Sequence, residues 1–416
     1  SAPELVEAQP PFYNAVVQVD TVLEPAALLR ALQAVQARFA KSDLRFGPRE
    51  LDLDIVAFAD GRRVDEPELQ VPHVRAHLRD FVVRPLHDLA EGRKVRLGPA
   101  SASKTVAELV HTTSGAEPVT AEIWSRPGRN WDGDGWREHN DKALVMGILN
   151  VTPDSFSDGG RFHAVEDAVA QAKAMMHAGA DVVDVGGMST RPNADYVTAE
   201  EEMDRVIPVI EQLRAEEQGD GAFPCALSID TRKARVAEEA IRAGADIVND
   251  QLGELDDESE EMLAVAGRHG VPLVTMHTRG DTKTMESLLL DPAKHDIVSY
   301  VADWLQRRAE AAMLRHAVPR WNIMVDPGLG FAKSAEQCEA LLAQVERVAG
   351  PDQWPVLIGA SRKRFVRQHC TFDIDTTTAA TSTAAVLFGA NMVRVHDVEA
   401  AVDVVPMAAA LRRRRQ

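Results

Sequence analysis

The stretch ALVMGILNVTPDSFSDGG, residues Ala143 to Gly160, is the clearest structural signal in the chain. An apolar run, Ala143 to Leu149, ends at Asn150 and is followed by a polar loop that closes with two glycines. The run has the length of a buried parallel strand, and its apolar residues do not alternate with polar ones. Apolar residues then recur at helical spacing from about Ala164 to Met176. The pattern therefore predicts a strand, a polar loop and a helix, the first unit of a βα repeat.

The same pattern recurs seven more times downstream. Apolar strands are predicted at Asp181–Val185, Ala226–Ile229, Ala245–Val248, Pro272–Met276, Ile323–Val325, Val356–Ile358 and Met392–Val395. Patterned helices lie between them, such as Glu200–Glu216, Arg232–Ala243, Asp296–His316 and Ser334–Val348. Eight βα units in roughly 270 residues predict a TIM (β/α)8 barrel, which we place at residues 143–416.

Polar residues follow the predicted strands at their C-terminal ends, where such a barrel places its chemistry. They are Asn150, Ser189, Thr190, Arg191, Asp230, Asn249, His277, Asp326, Ser361, Arg362, Lys363, Arg394 and His396. Any one of them alone could be a capping or turn residue, but a whole set that follows one rule indicates a site. Arg394 and His396 lie two apart on a strand, so they face the same way and can share an anion.

Residues 1–114 indicate a smaller first domain. Asn14–Thr21 and Glu50–Phe58 alternate as strands, and Pro25–Phe39 has the periodicity of an amphipathic helix. Asp52 and Asp54 lie two apart on the second strand, so both project from one face. Two carboxylates placed in this way can hold magnesium against the phosphates of a nucleotide. For the pair alone, an exposed acidic strand edge is the favoured interpretation.

Residues 115–142 have no helical or strand periodicity, and Gly, Pro, Asp and Trp dominate their composition. This composition is typical of an exposed linker, although a docking segment that buries its tryptophans is the alternative. We predict an interdomain linker that is partly held in place by Trp124, Trp131 and Trp136.

Composition and charge limit the partners of the chain. With 416 residues, 45% of them hydrophobic, it is long enough for two domains. A net charge of −18 argues against nucleic acid or an anionic membrane as the main partner. Cys225, Cys338 and Cys370 form no CxxC pair, which favours a reducing compartment without structural zinc. The start, SAPELVEAQPP, has neither Met nor a signal-peptide pattern, so we expect a fragment, a processed product or the ordered part of a longer protein.

The motifs of the predicted barrel resemble those of dihydropteroate synthase, which joins a pterin to p-aminobenzoate in folate synthesis. These motifs are MGILNVTPDSFSDGG, SIDT, VND, DPGLGF, GASRK and VRVHD. By this resemblance the pterin ligands are Asp230, Asn249, Met276, Asp326, Gly359 and Lys363. The pyrophosphate ligands are Asn150, Thr190, Arg394 and His396, with magnesium at Asn150. The p-aminobenzoate contacts are Thr190, Pro192, Phe331 and Ser361, with Lys333 nearby. The residues that the resemblance implies to be catalytic are Asp326, Lys363, Arg394 and His396.

Three positions depart from the pattern of that family. The family's GGESTRPG is GGMSTRPN here, so Met188 replaces a glutamate and Asn193 replaces a glycine. The family's GFGK is GFAK, with Ala332 at the third position. Met188 removes a charge beside the p-aminobenzoate loop, and we expect any consequence in loop closure or in the response to sulfonamides.

Motifs of the first domain resemble those of hydroxymethyl-dihydropterin pyrophosphokinase, which moves pyrophosphate from ATP to the pterin alcohol one step earlier. They are QPPFYNAV, RFGPRELDLDI, and VPH followed by RDFVVRPL. The resemblance implies pterin contacts at Phe12 and Asn14, and magnesium at Asp52 and Asp54. It implies ATP or transferred-group contacts at Arg49, His73 and Arg79. The family's opening strand has no counterpart, so we predict a partial α+β ferredoxin-like kinase domain that is inactive as it stands and needs ATP only if complete.

Together these features predict a magnesium-dependent, homodimeric synthase with small-molecule substrates, located in the cytoplasm or the mitochondrion. One alternative is a pterin-dependent methyltransferase barrel, which would keep the pterin residues but would not need the phosphate site. The other is a catalytically silent pterin-binding or scaffolding paralogue, for which Met188 is the only hint. Product formation by the purified protein separates the silent paralogue from the synthase.

Overall fold

The computed structural model describes residues 14–19, 21–38, 51–89, 95–98, 103–110, 143–152, 160–191, 194–216, 225–254 and 257–415. The chain divides into two compact units, Ser1–Val119 and Thr120–Gln416. The segment predicted as a linker, with its three tryptophans, lies outside the described residues. Within the described ranges, no helix combines the length and the apolar composition that crossing a membrane requires.

In its described residues, the first unit contains three helices and two small antiparallel sheets. The helices are α1 (Pro25–Gln36), α2 (Asp80–Leu89) and α3 (Val106–Val110). The strand pairs are β1 (Val64–Glu66) with β2 (Leu69–Val71), and β3 (Arg96–Leu97) with β4 (Lys104–Thr105). Its core is a cluster of five buried residues, Ala76, Val83, Leu97, Val106 and Leu109. The helix predicted from Pro25 is confirmed, but it ends at Gln36 rather than Phe39.

The two strands predicted in the first unit are wrong. The described residues of these two segments are 14–19, Thr21 and 51–58. None of them belongs to a sheet. A strand needs a neighbour whose backbone groups complete its hydrogen bonds, and an alternating sequence does not supply that neighbour. The alternation itself is present in the exposure of residues 51–54, since Leu51 and Leu53 are half-buried whereas Asp52 and Asp54 are exposed.

The second unit is a barrel of eight parallel strands, as the βα repeat predicts. The strands are β5 (Leu144–Asn150), β6 (Val182–Gly186), β7 (Ala226–Thr231), β8 (Ile247–Asp250), β9 (Leu273–Met276), β10 (Ile323–Asp326), β11 (Leu357–Ile358) and β12 (Met392–Val395). Strands β5 to β10 pair in chain order, and β12 pairs with both β5 and β11. A parallel bridge between Val325 and Val356 joins the remaining edges and closes the barrel.

Ten helices accompany these strands in the described part of the second unit. They are α4 (Gly160–His177), α5 (Ala199–Glu216), α6 (Ala234–Ala243), α7 (Asp257–His269), α8 (Ile297–His316), α9 (Ala335–Ala343), α10 (Val345–Val348), α11 (Arg364–Gln368), α12 (Ile374–Leu387) and α13 (Val398–Arg415). The single helix predicted over Ser334–Val348 is wrong. Gln344, at φ −130° and ψ 38°, separates α9 from α10, although the buried residues Leu341 and Val345 keep helical spacing across the break.

The barrel interior has its own apolar layer, to which every strand contributes one residue. This floor layer consists of Met146, Val182, Ala226, Ile247, Val274, Met324, Leu357 and Met392. A larger core surrounds it, formed between the outer faces of the strands and the helices. Because the floor layer blocks the interior, only the space at the C-terminal ends of the strands remains for a site.

We predict that Met146→Ala lowers the free energy of unfolding by about 2–5 kcal/mol, because it leaves a cavity in a closely packed layer. Met146 has 0% of its surface exposed, whereas Met407 in α13 is 64% exposed. The matched change Met407→Ala should therefore alter stability by no more than about 0.5 kcal/mol. Urea denaturation of both variants measures the difference, and equal losses would contradict the packed floor layer.

Candidate active site

The site is built on the inward-facing positions directly above the floor layer. Alternate residues of a strand face the same side, so the residue two positions after each floor residue also points into the barrel. These second-layer residues are Ile148, Asp184, Ser228, Asn249, Met276, Asp326, Gly359 and Arg394. Four of them carry charged or amide side chains. The alternation of side chains that places the floor residues inside the barrel therefore also places these polar groups there.

Arg394 links two buried carboxylates across the barrel. Its Nε donates to Asp184 Oδ2 at 2.6 Å, and its Nη2 donates to Asp230 Oδ2 at 2.5 Å. Asn249 Nδ2 donates to the same Asp184 oxygen at 2.9 Å. The predicted residues Asp230, Asn249 and Arg394 are therefore brought together, and Asp184 joins them.

Asp184 was not among the predicted site residues. It lies inside the strand DVVDVGG, where the apolar neighbours made it part of a buried element. The available signal was its phase: Asp184 lies two residues after Val182, which occupies the floor layer, so its side chain must face the interior. An ionisable residue at a fully buried inward position indicates a paired charge.

Burial changes the protonation of the carboxylate and ammonium groups around this cluster. It raises the pKa of Asp230 to about 7, with Asp184 and Glu202 adding to the rise and Arg394 opposing it. Burial also raises the pKa of Asp326, against the opposing charge of Lys363. The same loss of solvation lowers the pKa of Lys363 to about 8. Asp230 and Lys363 therefore titrate nearer to neutral pH than exposed side chains of their kind.

Lys363 reaches into the site from the loop after β11. Its ammonium donates to the Leu329 carbonyl and lies 4.3 Å from the centre of the Phe331 ring. It forms no ion pair with Asp326, whose Oδ1 instead accepts a hydrogen bond from the Gly328 backbone at 2.7 Å. Lys363 and Asp326 thus contact two adjacent residues, Leu329 and Gly328, near the start of the loop of residues 327–333.

Lys333 anchors that loop from below. Its ammonium contacts His277 Nδ1 at 2.9 Å and donates to the backbone carbonyls of His277 at 3.1 Å and Phe331 at 2.9 Å. Burial lowers the pKa of Lys333 to about 7 and that of His277 to about 4. A neutral His277 can accept a hydrogen bond from Lys333 at Nδ1. Because the same ammonium donates to the Phe331 carbonyl, these contacts hold the backbone of Phe331 in place.

Ser361 and His396 form a hydrogen-bonded pair. The Ser361 hydroxyl accepts from the His396 backbone N–H at 3.1 Å and lies 2.9 Å from Nδ1 of the same residue. Burial lowers the pKa of His396 to about 4, and the charges of Arg362, Arg394 and Arg191 lower it further. The ring is therefore neutral at pH 7. When the hydroxyl donates to Nδ1, the ring proton resides on Nε2, which becomes a donor.

Above this layer opens a cavity of about 1070 Å³. The predicted residues that line it are Asn150, Thr190, Asp230, Phe331, Lys333, Gly359, Ser361, Lys363, Arg394 and His396. Asn249, Met276 and Asp326 are buried and do not line the cavity. Pro192 and Asn193 lie outside the described residues.

The wall that carries Met188 rests on a buried ion pair that the sequence analysis did not predict. Lys233 Nζ contacts Glu202 Oε2 at 2.5 Å, and Thr231 Oγ1 donates to Glu202 Oε1 at 2.6 Å. Met188 Sδ lies 3.6 Å from the same ammonium, and the Tyr196 ring centre lies 5.1 Å from it. The methionine thus contacts Lys233 without supplying a charge.

The predicted kinase residues are only partly described. Asp52 Oδ1 accepts a hydrogen bond from Gln36 Nε2 at 2.8 Å, and Asp54 Oδ2 lies 3.9 Å from His73 Nε2. Asn14 is exposed, and the Arg79 guanidinium lies 5.4 Å from the Phe81 ring centre. Phe12 and Arg49 lie outside the described residues.

Metal ligation has little support from clustered side chains. Within the described ranges, three or more His, Cys, Asp or Glu residues nowhere converge in a way that could hold a metal ion. The oxygen ligands predicted from the sequence are the Asp52 and Asp54 carboxylates and, in the cavity, the Asn150 amide. Oxygen ligands of this kind suit Mg²⁺ when water or substrate phosphate completes the coordination.

Comparison with known proteins agrees with this geometry. A family model described as pterin binding enzyme matches residues 146–396, which contain seven of the strands in full, all but the first two residues of β5, and the residues that line the cavity. The chain belongs to this pterin-binding enzyme family. A second model, for 7,8-dihydro-6-hydroxymethylpterin-pyrophosphokinase, matches residues 1–91.

Similar proteins include both fused and single-domain members of the family. The mitochondrial folate synthesis bifunctional protein of Pisum sativum is 40% identical over 99% of this chain and 82% of its own length. Dihydropteroate synthase from Synechocystis is 41% identical over 65% of this chain and 90% of its own length. A solved dihydropteroate synthase from Clostridium difficile, obtained with pteroic acid, has a TM-score of 0.59 at 36% identity and covers 66% of this chain and 98% of its own.

We predict that Lys233→Met lowers the free energy of unfolding by about 3–5 kcal/mol, because it leaves the Glu202 carboxylate buried without its cation. The double variant Glu202→Leu with Lys233→Met should recover much of that loss, since no unpaired charge remains. Denaturant titration of the two single variants and the double variant measures the coupling.

A surface ion pair provides the control for this cycle. Arg235 pairs with Glu200, and both side chains are largely exposed. Arg235→Ala should cost no more than about 1 kcal/mol. If the losses at Glu202 and Lys233 simply add, the ion pair does not hold this wall.

Proposed function

We propose that the second unit catalyses the dihydropteroate synthase reaction. The amine of p-aminobenzoate forms a C–N bond to the methylene of hydroxymethyl-dihydropterin pyrophosphate, the C–O bond breaks, and pyrophosphate and the amine proton leave. The observation that carries the proposal is the shared guanidinium of Arg394, which lines the cavity and binds the carboxylates of both Asp184 and Asp230. The family match supports the same conclusion.

The acceptors below the cavity suit a pterin. Its amino-pyrimidine edge presents N–H donors, and Asp230, Asn249 and Asp326 offer the oxygens to receive them. Lys363 can donate to the ring, and Met276 packs at the same depth. Gly359 leaves room for the ligand, since a Cβ there would lie 3.8 Å from Arg394 Cβ and 4.0 Å from Lys363 Nζ.

The basic wall of the cavity suits pyrophosphate. Arg394 and the Nε2–H of a neutral His396 are donors to an anion, and Thr190 adds a hydroxyl. The Asn150 amide oxygen would hold magnesium, which when bound neutralises the leaving pyrophosphate. In the first unit, Asp52 and Asp54 would hold magnesium beside ATP in the same way.

The remaining wall suits p-aminobenzoate. Phe331 offers a ring face, while Thr190, Pro192 and Ser361 supply the edge contacts. The Ser361 hydroxyl is shared with His396, which fixes its position at this wall. While its one proton is donated to Nδ1 it has none for the arylamine carboxylate, so Ser361 contributes a contact rather than a hydrogen-bond donor. Arg191 and Arg362, whose charges reach His396, give this region a positive potential that favours both anionic substrates.

The larger organisation follows the same proposal. We place the kinase-like domain at residues 1–114, the linker at 115–142 and the synthase barrel at 143–416, and we infer a homodimer with small-molecule substrates. The kinase inactivity expected of the first unit stays a prediction, and AMP release that depends on both ATP and the pterin would contradict it. The methyltransferase alternative is disfavoured because the cavity carries a phosphate-binding set, Ser361, Lys363, Arg394 and His396, that it would not need.

We propose a dissociative substitution. An arylamine is nucleophilic in its neutral form, and the conjugated pterin ring can support positive charge on its methylene as the C–O bond breaks. In this scheme the Asp326 carboxylate stabilises that charge, and the Arg394 guanidinium stabilises the departing pyrophosphate. We infer that the loops with Ser155, which lies outside the described residues, and Thr190 close over the reacting centre.

We predict that Arg394→Ala lowers kcat by about 10²–10³, because its contact strengthens as charge develops on the leaving group. Arg235→Ala, which also removes an arginine from an ion pair but not from the cavity lining, should leave kcat unchanged. Steady-state rates of dihydropteroate formation with both variants test the role, and a loss below threefold at Arg394 would remove it from the chemical step.

The order of bond breaking predicts a second result. If the C–O bond breaks before the amine attacks, the rate should depend little on amine basicity. The measurement uses ring-substituted p-aminobenzoates of graded basicity under conditions where chemistry limits turnover. A steep rise of rate with basicity would instead indicate concerted displacement.

A further inference from the structure

Asp184 and Asp326 are the two buried acids of the second layer that do not line the cavity, and only Asp184 links side chains from two other strands. It has 0% exposed surface and lies in the middle of β6. Its Oδ2 accepts from both Arg394 Nε and Asn249 Nδ2, at 2.6 and 2.9 Å. Its Oδ1 is buried without a hydrogen-bond partner among the described residues. Burying a carboxylate costs free energy. Asp184 accepts hydrogen bonds from side chains of two other strands through one oxygen, which indicates that its role is to hold those two side chains.

The contact with Asn249 determines which way the amide faces. Nδ2 donates to Asp184, because the opposite orientation would place the amide oxygen against a carboxylate oxygen. Asn249 Oδ1 is therefore held on the other side as an acceptor. An acceptor is what a pterin N–H requires.

The contact with Arg394 determines the plane of the guanidinium. Nε bonds to Asp184 and Nη2 to Asp230, so two of its edges are held by carboxylates from β6 and β7. A guanidinium is a rigid planar fork, so these two bonds orient its remaining N–H groups as well. The same oxygen that orients Asn249 thus also orients Arg394.

We propose that Asp184 is a positioning residue of the synthase reaction, which places the pterin acceptor Asn249 and the pyrophosphate donor Arg394 in one arrangement. The proposal rests on the proposed function, since it concerns the same two substrates. Asp184 contacts neither substrate in this scheme and acts through its two partners. It therefore couples recognition of the pterin ring to recognition of its pyrophosphate.

The charge of Asp184 has a second consequence at Asp230. The charged and titratable groups around Asp230 are Arg394 from β12, Asp184 from β6, Glu202 from α5 and Lys363 from the loop after β11, with Gln251 as a hydrogen-bond donor. Asp184 raises the pKa of Asp230, so its neutralisation should lower that pKa. Asp230 accepts a pterin N–H in its ionised form, hence pterin binding strengthens as the pH rises through this pKa. Without the charge of Asp184, that rise should occur at lower pH.

The test compares Asp184→Asn with the wild-type full chain. Asn keeps the shape and can place its one oxygen at the Oδ2 position, but it loses the charge that binds Arg394 and places two N–H donors at the Oδ1 position, where no partner is present among the described residues. Calorimetric titration with 6-hydroxymethylpterin reports on Asn249, and titration with pyrophosphate and Mg²⁺ reports on Arg394. We expect both affinities to fall by about tenfold or more, the change for loss of a buried hydrogen-bond partner. The KM for p-aminobenzoate should stay within about twofold, and the acidic limb of kcat/KM for the pterin substrate should move to lower pH.

Asp246→Asn is the matched control. Asp246 is 1% exposed and pairs with Arg214, so it is a buried carboxylate of the same barrel outside the site. A loss of stability alone would affect both variants, but only Asp184→Asn should shift the pH profile. Should Asp184→Asn not fold, Asp184→Ser is measured in the same way, and failure of both to fold overturns the positioning role because it makes Asp184 a residue of the fold.

The outcomes separate this inference from the proposed function. If the wild-type protein forms no dihydropteroate, the proposed function is wrong. If it does form the product, and Asp184→Asn binds 6-hydroxymethylpterin and pyrophosphate as tightly as the wild type with an unmoved pH limb, the positioning role is wrong. Weakening of both ligands together with the shifted limb supports it.

Discussion

The alternation of side chains along the barrel strands is the constraint on which the site depends. A residue that faces the interior is followed two positions later by another that faces the interior. Eight apolar residues, one from each strand, use this phase to fill the floor. The next inward positions include Asp184, Asn249, Asp326 and Arg394, so a shift of one residue in any strand would turn its polar group toward the helices. Packing of the floor and placement of the chemistry are therefore one requirement.

Charged side chains are tolerated at this depth of the barrel because they share oppositely charged partners. Arg394 serves Asp184 and Asp230 together, so three ionisable groups are buried with one cation between two carboxylates. Removing them from water is costly, and the cost appears as the raised pKa of Asp230 and the lowered pKa of Lys363. Groups whose protonation lies near neutral pH can exchange partners with a substrate at little cost. The burial that makes the cluster unfavourable to desolvate thus also brings the pKa values of Asp230 and Lys363 near neutral pH, so these groups can exchange their partners for a substrate.

The sequence predicts the barrel well and its cross-barrel pairs poorly. All eight predicted strands lie within two residues of those observed, because buried parallel strands contrast sharply with their polar loops. Asp184 and Arg394 are 210 residues apart, and Glu202 and Lys233 are 31 apart, and no local pattern joins them. The two strands predicted in the first unit are wrong for a related reason: a strand requires a neighbouring strand to hydrogen-bond with, and an alternating sequence does not supply one. Gln344 shows the reverse case, since helical spacing of buried residues continued across a break in the backbone.

The departure at Met188 shows that the charge balance of this wall depends on the buried Glu202–Lys233 ion pair rather than on which residue occupies position 188. In the family pattern a glutamate stands here, beside an ammonium that Glu202 already neutralises at 2.5 Å. A methionine contacts Lys233 through a polarizable sulfur at 3.6 Å and leaves the buried pair electrically balanced. The acceptors and donors around the cavity, Asp230, Lys363, Arg394 and His396 among them, remain in place. Met188 therefore changes one wall near Thr190 without removing a group that the reaction uses, so it does not by itself argue for a silent paralogue.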